Sequence, residues 1–453
     1  MKKKICIVSI VLISVFGLFY YLETHAKPNI IVILVDALRK DHLGCYGYSR
    51  NTSPNIDRLA GEAIKFDNCI STCSWTSPSI ASLFTSLYVS SHGLMTHSNE
   101  ATDILALELV TLAEALKEKG YSTAAFIANR WIREEFNYHQ GFDHFKQVGT
   151  SFRPSAVVVR EATLSWLKDK PKEPFFLYTH FMDVHGPYIP PYPYDNFFSS
   201  EKGRELTAKE YEKLRYLKIG EEKDLNFYIN QYDGEIQYCD YHIGKIIQYL
   251  KDENLFDKAV IIFTADHGEA FFEHGECDHV FTLYNEEIRV PLLLKLPDCF
   301  NVTINENIKP QLVDLGVTIL SLIHSEFPYE VDGLNLIDMN QKANKEQIRE
   351  KIYSEEYMKG FPKIAMIENN MKYIYHSVKK RIVEVYNLRE DDEERNNLLE
   401  SDKDTSYREM EKIIYDWSNK KNIQRTETIK KQQKAVIDPG TLEQLKSLGY
   451  IHK

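Results

Sequence analysis

The sequence lacks a Cys-x-x-Cys pair, which removes the usual frame for a cysteine-ligated zinc. It also lacks a basic stripe. Its 55 Lys and Arg stand against 66 Asp and Glu, for a net charge of −11. Phosphate backbones demand clustered cations, so general nucleic-acid binding is excluded. No internal repeat is evident, and beyond residue 22 no apolar run reaches the length that spans a bilayer.

What is present is a globular composition, 43% apolar and 27% charged over 453 residues. Such a chain can bury a sizeable core and is too long for one small module. Its one long apolar run, ICIVSIVLISVFGLFYYL at residues 5–22, follows Met1-Lys2-Lys3-Lys4. That length lies between a signal-peptide core and a spanning helix, and the three lysines stay in the cytoplasm. Everything after residue 26 is therefore expected outside. Tyr20 and Tyr21 suit a membrane interface and favour an uncleaved signal anchor, with cleavage after Thr24-His25-Ala26 and secretion as the other reading. Cys45, Cys69, Cys73, Cys239, Cys277 and Cys299 fall in this disulfide-permissive compartment, and spacing does not reveal their pairing.

Three apolar runs stand out by how they finish. NIIVILV (29–35) ends at Asp36, and PFFLYTHFM (174–182) ends at Asp183 with His185 two residues on. AVIIFT (259–264) leads through Ala265 to Asp266 and His267. Continuous apolar runs separated by helical stretches, here 109–120 and 234–253, predict strands buried on both faces of a mostly parallel sheet. Ligands of such sheets bind beyond the carboxyl ends of the strands, where these acids and imidazoles would converge. One Asp after a strand is an ordinary turn former. Three in one chain, two with a nearby His, point to a metal or phosphate site.

STCSWTSPSI (71–80) precedes a helical pattern of Ile80, Leu83, Phe84 and Leu87. Thr76 is expected at the N-cap, with Pro78 in the first turn. Asp36, Asp266 and His267 supply two carboxylates and an imidazole, a suitable set for a divalent cation. A Thr hydroxyl is a weak nucleophile at neutral pH. Bonding to a metal lowers its pKa and offsets charge on a sulfuryl or phosphoryl group. His185 and His279 could then contact non-bridging oxygens or protonate the leaving oxygen.

These residues resemble the sulfatase family of the alkaline-phosphatase superfamily, from about residue 28 to the C-terminus. NIIVILVDALRKDHLGCYGY is similar to the family's opening strand and metal turn. NTSPNIDRLAGEAIKFDNCIS and WTSPSIASLFTSLYVSSHG resemble the approach to the nucleophile and its helix. HFMDVHGPYIPP resembles the His-x-Pro-Tyr segment; FTADHGEAFFEHG and HVFTLYNEEIRVPLLLKLP resemble the second ligand pair and following strand. VEVYNLREDDEERNNL and LEQLKSLGY resemble the C-terminal subdomain and tail. The resemblance implies an α/β fold: a three-layer sandwich with a large, mostly parallel sheet and a small C-terminal α+β subdomain. It implies metal ligation by Asp36, Thr76, Asp266 and His267, catalysis by Thr76, His185 and His279, and substrate contact by Asn129 and Asp183. The cofactor is one divalent ion (Ca, Mn or Zn), and Asp183, His185 and His279 offer ligands for a second.

The departures carry meaning. Where sulfate-ester hydrolases usually place Cys-x-Pro-x-Arg, this chain has Thr76, Ser77, Pro78, Ser79 and Ile80, and Asp36-Ala37 replaces an Asp-Asp pair. A formylglycine made from that Cys expels sulfate by collapsing to an aldehyde. An ester on Thr76 cannot, so water or an acceptor alcohol must attack it. The expectation is a sulfatase-like, metal-dependent hydrolase of sulfate or phosphate esters, acting outside the cytoplasmic membrane on a glycan- or lipid-linked anionic ester. One alternative is a phosphoethanolamine or phosphoglycerol transferase, whose known members carry several spanning helices. The other is an inactive glycan- or anion-binding member.

Expected boundaries are a signal segment over 1–26, a catalytic domain over 27–345 and a C-terminal subdomain and tail over 346–453. The Pro- and charge-rich insert 187–224 follows His185 and is read as a lid or rim. Arg39 and Asp41 are read as a structural pair, His274 as a loop residue, and His92 and His97 as candidates beyond the nucleophile helix.

Overall fold

The computed structural model describes residues 27–95, 101–149, 156–198, 202–300, 302–305, 308–338, 348–357, 362–401, 407–429 and 432–447. The segment expected in the membrane, and His97, lie outside these residues. Among the described residues no helix is long and apolar enough to cross a membrane.

The large sheet has seven strands: β1 (Asn29–Val35), β2 (Ile64–Ile70), β3 (Ser122–Ile127), β4 (His144–Gln147), β5 (Phe175–Phe181), β6 (Ala259–Ala265) and β7 (Arg289–Lys295), in the order β2-β7-β6-β1-β5-β3-β4. Five consecutive strands, β6-β1-β5-β3-β4, run parallel out to the β4 edge, while β7 is antiparallel to both neighbours. Every residue of β1, β5 and β6 is buried, the condition that makes parallel strands continuously apolar. Helices α1 (Thr76–Thr85), α2 (Leu112–Glu118), α3 (Ala156–Lys168), α4 (Leu225–Asp252) and α5 (Asp314–Leu322) accompany the sheet. Thr111 and Glu114 close a capping box on α2, so that helix starts three residues later than its apolar pattern.

A second sheet of four antiparallel strands, β8 (Lys351–Glu356), β9 (Lys363–Glu368), β10 (Met371–His376) and β11 (Arg381–Asn387), is followed by α6 (Arg408–Thr428). Its hydrophobic face meets α6 through Ile364, Met366, Ile382, Val385 and Ile414. The cysteines among the described residues are all free thiols.

Candidate active site

The carboxyl ends of β1 and β6 lie side by side, Val35 opposite Ala265, so Asp36 and Asp266 emerge together. The turn after Asp36 is pinned from α4. The Tyr232 hydroxyl donates to Ala37 O at 2.7 Å and accepts from Arg39 N at 2.8 Å. Ala37 N and His267 N both donate to Asp266 Oδ1, at 3.2 and 2.9 Å. That leaves Asp36 Oδ1 and Asp266 Oδ2 buried without hydrogen-bond partners. His267 Nδ1 is 2.8 Å from Gly268 O, which commits that nitrogen as donor and turns Nε2 toward both acids, 3.6 Å from Asp36 Oδ1 and 3.5 Å from Asp266 Oδ2. Buried oxygens left without donors beside an imidazole lone pair are what a divalent cation requires, so these three residues fit one.

The electrostatics agree. Burial alone would raise Asp36, but the bond from His180 and the nearby His185 and His267 outweigh it and hold the carboxyl well below its usual range. Burial and the adjacent Asp36 push Asp266 well up. Burial and neighbouring His279 bring His267 down to about 3, leaving the neutral form a metal needs.

Thr76 is not the N-cap that the sequence predicts. Trp75 holds that position in extended backbone, and Thr76 is the first helical residue of α1, inside a fully buried helix. Its hydroxyl, spared from capping, faces the acids instead. Oγ1 is 3.4 Å from Asp36 Oδ2, 3.4 Å from His267 Nε2 and 3.3 Å from Asn129 Nδ2. Asn129, just past β3, also donates to Asp36 Oδ2 and is itself oriented by Trp131 N, which donates to its Oδ1 at 2.7 Å.

His279 sits on the tip that follows a short hairpin, Ala270–Phe271 against Cys277–Asp278. Asp278 and Val280 both have left-handed backbone, φ 75° and 81°, a costly shape for a β-branched residue. The tip brings the His279 ring to 4.3 Å from that of His267 and 4.9 Å from that of His185. Burial would lower His279, but Asp278 and Glu269 prevail and raise it well above the ordinary range. Burial and His279 instead take His185 down to about 4.

Asp183 stands differently. Its Oδ1 accepts from Ala156 N at 2.7 Å, the first residue of α3, so it is engaged with a helix end. His92 is buried against Ser82 Oγ (3.1 Å) and Pro78 O (3.2 Å) behind α1. Arg39 pairs with Asp41 at 2.7 Å, and also with Glu273. His274 bonds Glu286 at 2.6 Å and Glu394 O at 2.9 Å.

Three residues escape sequence reading. His180, the sixth residue of β5, reaches Asp36 Oδ2 at 3.0 Å and is held by Tyr178 OH at 2.9 Å. Glu269 and Asp278 flank His279 Nδ1 at 3.3 and 2.9 Å. The available signals were the lone imidazole inside an apolar strand and the acids two residues past His267 and immediately before His279.

The sulfatase family model matches residues 28–325, and that of the N-sulphoglucosamine sulphohydrolase C-terminal region matches 272–433. An arylsulfatase of Clostridium perfringens is 23% identical over 446 residues, covering 83% of this chain and 91% of its own. An N-acetylglucosamine-6-O-sulfatase of Bacteroides thetaiotaomicron is 22% identical, covering 69% and 71%. Among solved structures, the phosphonate monoester hydrolase of Agrobacterium radiobacter superposes with a TM-score of 0.68 at 19% identity, over 89% of this chain and 96% of that one. A structure holding its substrate D-glucosamine-2-N,6-O-disulfate gives 0.71 at 19% identity, over 88% and 98%. With two thirds of its length, including Asp36, Thr76 and the Asp266-His267 pair, inside the family match, this chain belongs to the sulfatase family of ester hydrolases.

Proposed function

We propose that the chain hydrolyses sulfate or phosphate esters outside the cytoplasmic membrane, with Thr76 as nucleophile and a glycan-linked anionic ester as substrate. The observation that carries this reading is the Thr76 hydroxyl, freed from capping and aimed between Asp36 and His267. Asp36, Asp266 and His267 would hold a divalent cation, which would lower the pKa of such a hydroxyl and offset charge on the ester. Thr76 Oγ attacks sulfur or phosphorus, and its proton is released to water. Asn129 Nδ2 orients the hydroxyl. The ester bond to the leaving alcohol breaks, and water gives that oxygen a proton while His279, held through Nδ1 by Asp278 and Glu269, positions it. Water then attacks the Thr76 ester, releasing sulfate or phosphate and restoring the hydroxyl. The helix N-terminus beneath Thr76 favours the anion in both steps.

Relatives named for sulfated sugars support a glycan substrate. The uncharged run behind three lysines supports membrane attachment. The second reading, group transfer to an acceptor alcohol, draws on Thr76 itself, whose ester needs an external attacker.

The test assays full-length protein in detergent with Ca, Mn or Zn against an aryl sulfate and an aryl phosphodiester, with Thr76→Ala as control. Turnover of either that disappears in the variant supports the reading. Turnover that survives in Thr76→Ala overturns it. Activity that appears only with an added acceptor alcohol replaces hydrolysis with transfer.

A further inference from the structure

We infer that Glu269, Asp278 and His279 form a second divalent-cation site beside the first. Their donor atoms, one from each, lie within 4.8 Å of one another, and all three residues are buried. Asp278 Oδ1 is 2.9 Å and Glu269 Oε1 3.3 Å from the same atom, His279 Nδ1. Two carboxylates thus compete for one N–H. Replacing that proton by a cation, with the proton released to solvent, converts Nδ1 into a third ligand and satisfies both acids. A separate observation points the same way. Glu269 is wholly inaccessible to solvent, and its other oxygen, Oε2, is buried and meets no donor in hydrogen-bond geometry, with the Tyr188 hydroxyl nearby. Leaving a buried carboxylate oxygen unbonded is costly, and a cation removes that cost.

Charge supplies a use. The two clusters abut through the rings of His267 and His279, 4.3 Å apart, and together contain four buried carboxylates: Asp36, Asp266, Glu269 and Asp278. Neither cluster contains a Lys or Arg, and Ile80 occupies the position where the nucleophile segment would offer a guanidinium. One divalent ion offsets two of the four charges. A second offsets the rest and lets a negatively charged ester approach. This use rests on the proposed anionic substrate; the site itself does not. One nitrogen with two carboxylate oxygens suits Mn or Zn.

The test titrates full-length, chelator-stripped protein with Mn alone and counts bound equivalents, with circular dichroism as the check on folding. Wild type is expected to take up two equivalents. Glu269→Gln and Asp36→Asn should each take up one. Electron paramagnetic resonance of the loaded wild type should show a coupled Mn pair, and Glu269→Gln should return the six-line pattern of an isolated ion. Saturation of wild type at one equivalent, or two equivalents in Glu269→Gln, overturns the site. Should Glu269→Gln not fold, Asp278→Asn gives the same readout. Should neither fold, the wild-type spectrum decides, and an uncoupled signal is a refutation. Because counting ions needs no turnover, failure here leaves the esterase reading standing, and loss of that reading leaves this site standing.

Discussion

The two sheets bury charge in opposite ways. At the carboxyl edge of the large sheet, Asp36, Asp266 and Glu269 each keep an oxygen that no donor meets. In and around the small sheet, Arg349 forks onto Asp314 at 2.6 and 2.7 Å, and Lys372 meets Glu394 at 2.7 Å with both side chains fully buried. The second kind of charge meets a Lys or Arg counter-charge within the protein. The first is complete only when something else arrives. Burial alone therefore does not mark a candidate site; buried carboxylates gathered without a Lys or Arg do.

The sharpest way to break this comparison is Thr76→Ala. Turnover should fall by on the order of 10^4-fold or more, with an unchanged melting temperature. A melting temperature that drops sharply would show Thr76 to be architectural. Lys372→Met reverses the pattern. It strands Glu394 without its cation and should cost about 3–5 kcal/mol in a denaturant titration. An unaltered midpoint would mean that this ion pair stabilises nothing.

Glu355 on β8 gives a smaller, pH-dependent effect. Burial pushes its carboxyl up to about 7, against the opposing bonds from Tyr357 and Ser90. Its neutral form is favoured in the fold, so its contribution is fully present below the unfolded value of 4.5 and is lost as pH rises through about 7. Wild-type melting temperature should decline between pH 5 and pH 8, and Glu355→Gln should flatten the decline. Parallel curves for the two proteins would assign the dependence elsewhere. The smallest effect belongs to Tyr192 in the insert, 84% exposed. Tyr192→Ser should change stability by within about 0.5 kcal/mol, and a larger loss in thermal denaturation would give that loop a packing role.

Much of this was legible because β1, β5 and β6 are buried on both faces, which leaves few polar residues to explain and makes each strand-ending acid conspicuous. The same burial hid His180. Inside an apolar strand an imidazole reads as an interruption, and only the parallel register of β1 and β5 brings it beside Asp36. Thr76 was found for a partly mistaken reason. Composition cannot distinguish the cap from the residue after it, and Trp75 took the cap through its extended backbone. Half-exposed β11 is hard to read from sequence, because alternation in Arg-Ile-Val-Glu-Val-Tyr-Asn is broken by the register shift against β10. The partnership of Glu269 and Asp278 with His279 depends on the left-handed tip at Asp278 and Val280, which no periodicity announces.

The reach of the small sheet into the hairpin region has a practical consequence. Glu394 accepts from Asn285 N at 2.6 Å, Asp392 forks onto Arg289 at 2.6 and 2.7 Å, and Arg395 donates to Glu273 O. Glu355 N donates to Thr72 O at 2.8 Å, four residues before Thr76. A gene shortened near residue 345 would therefore encode a sheet with its strands in place but without the bracing around both His279 and the entrance to α1. The last hundred residues are a splint for the chemistry, and anyone trimming the chain for crystals or engineering should cut elsewhere.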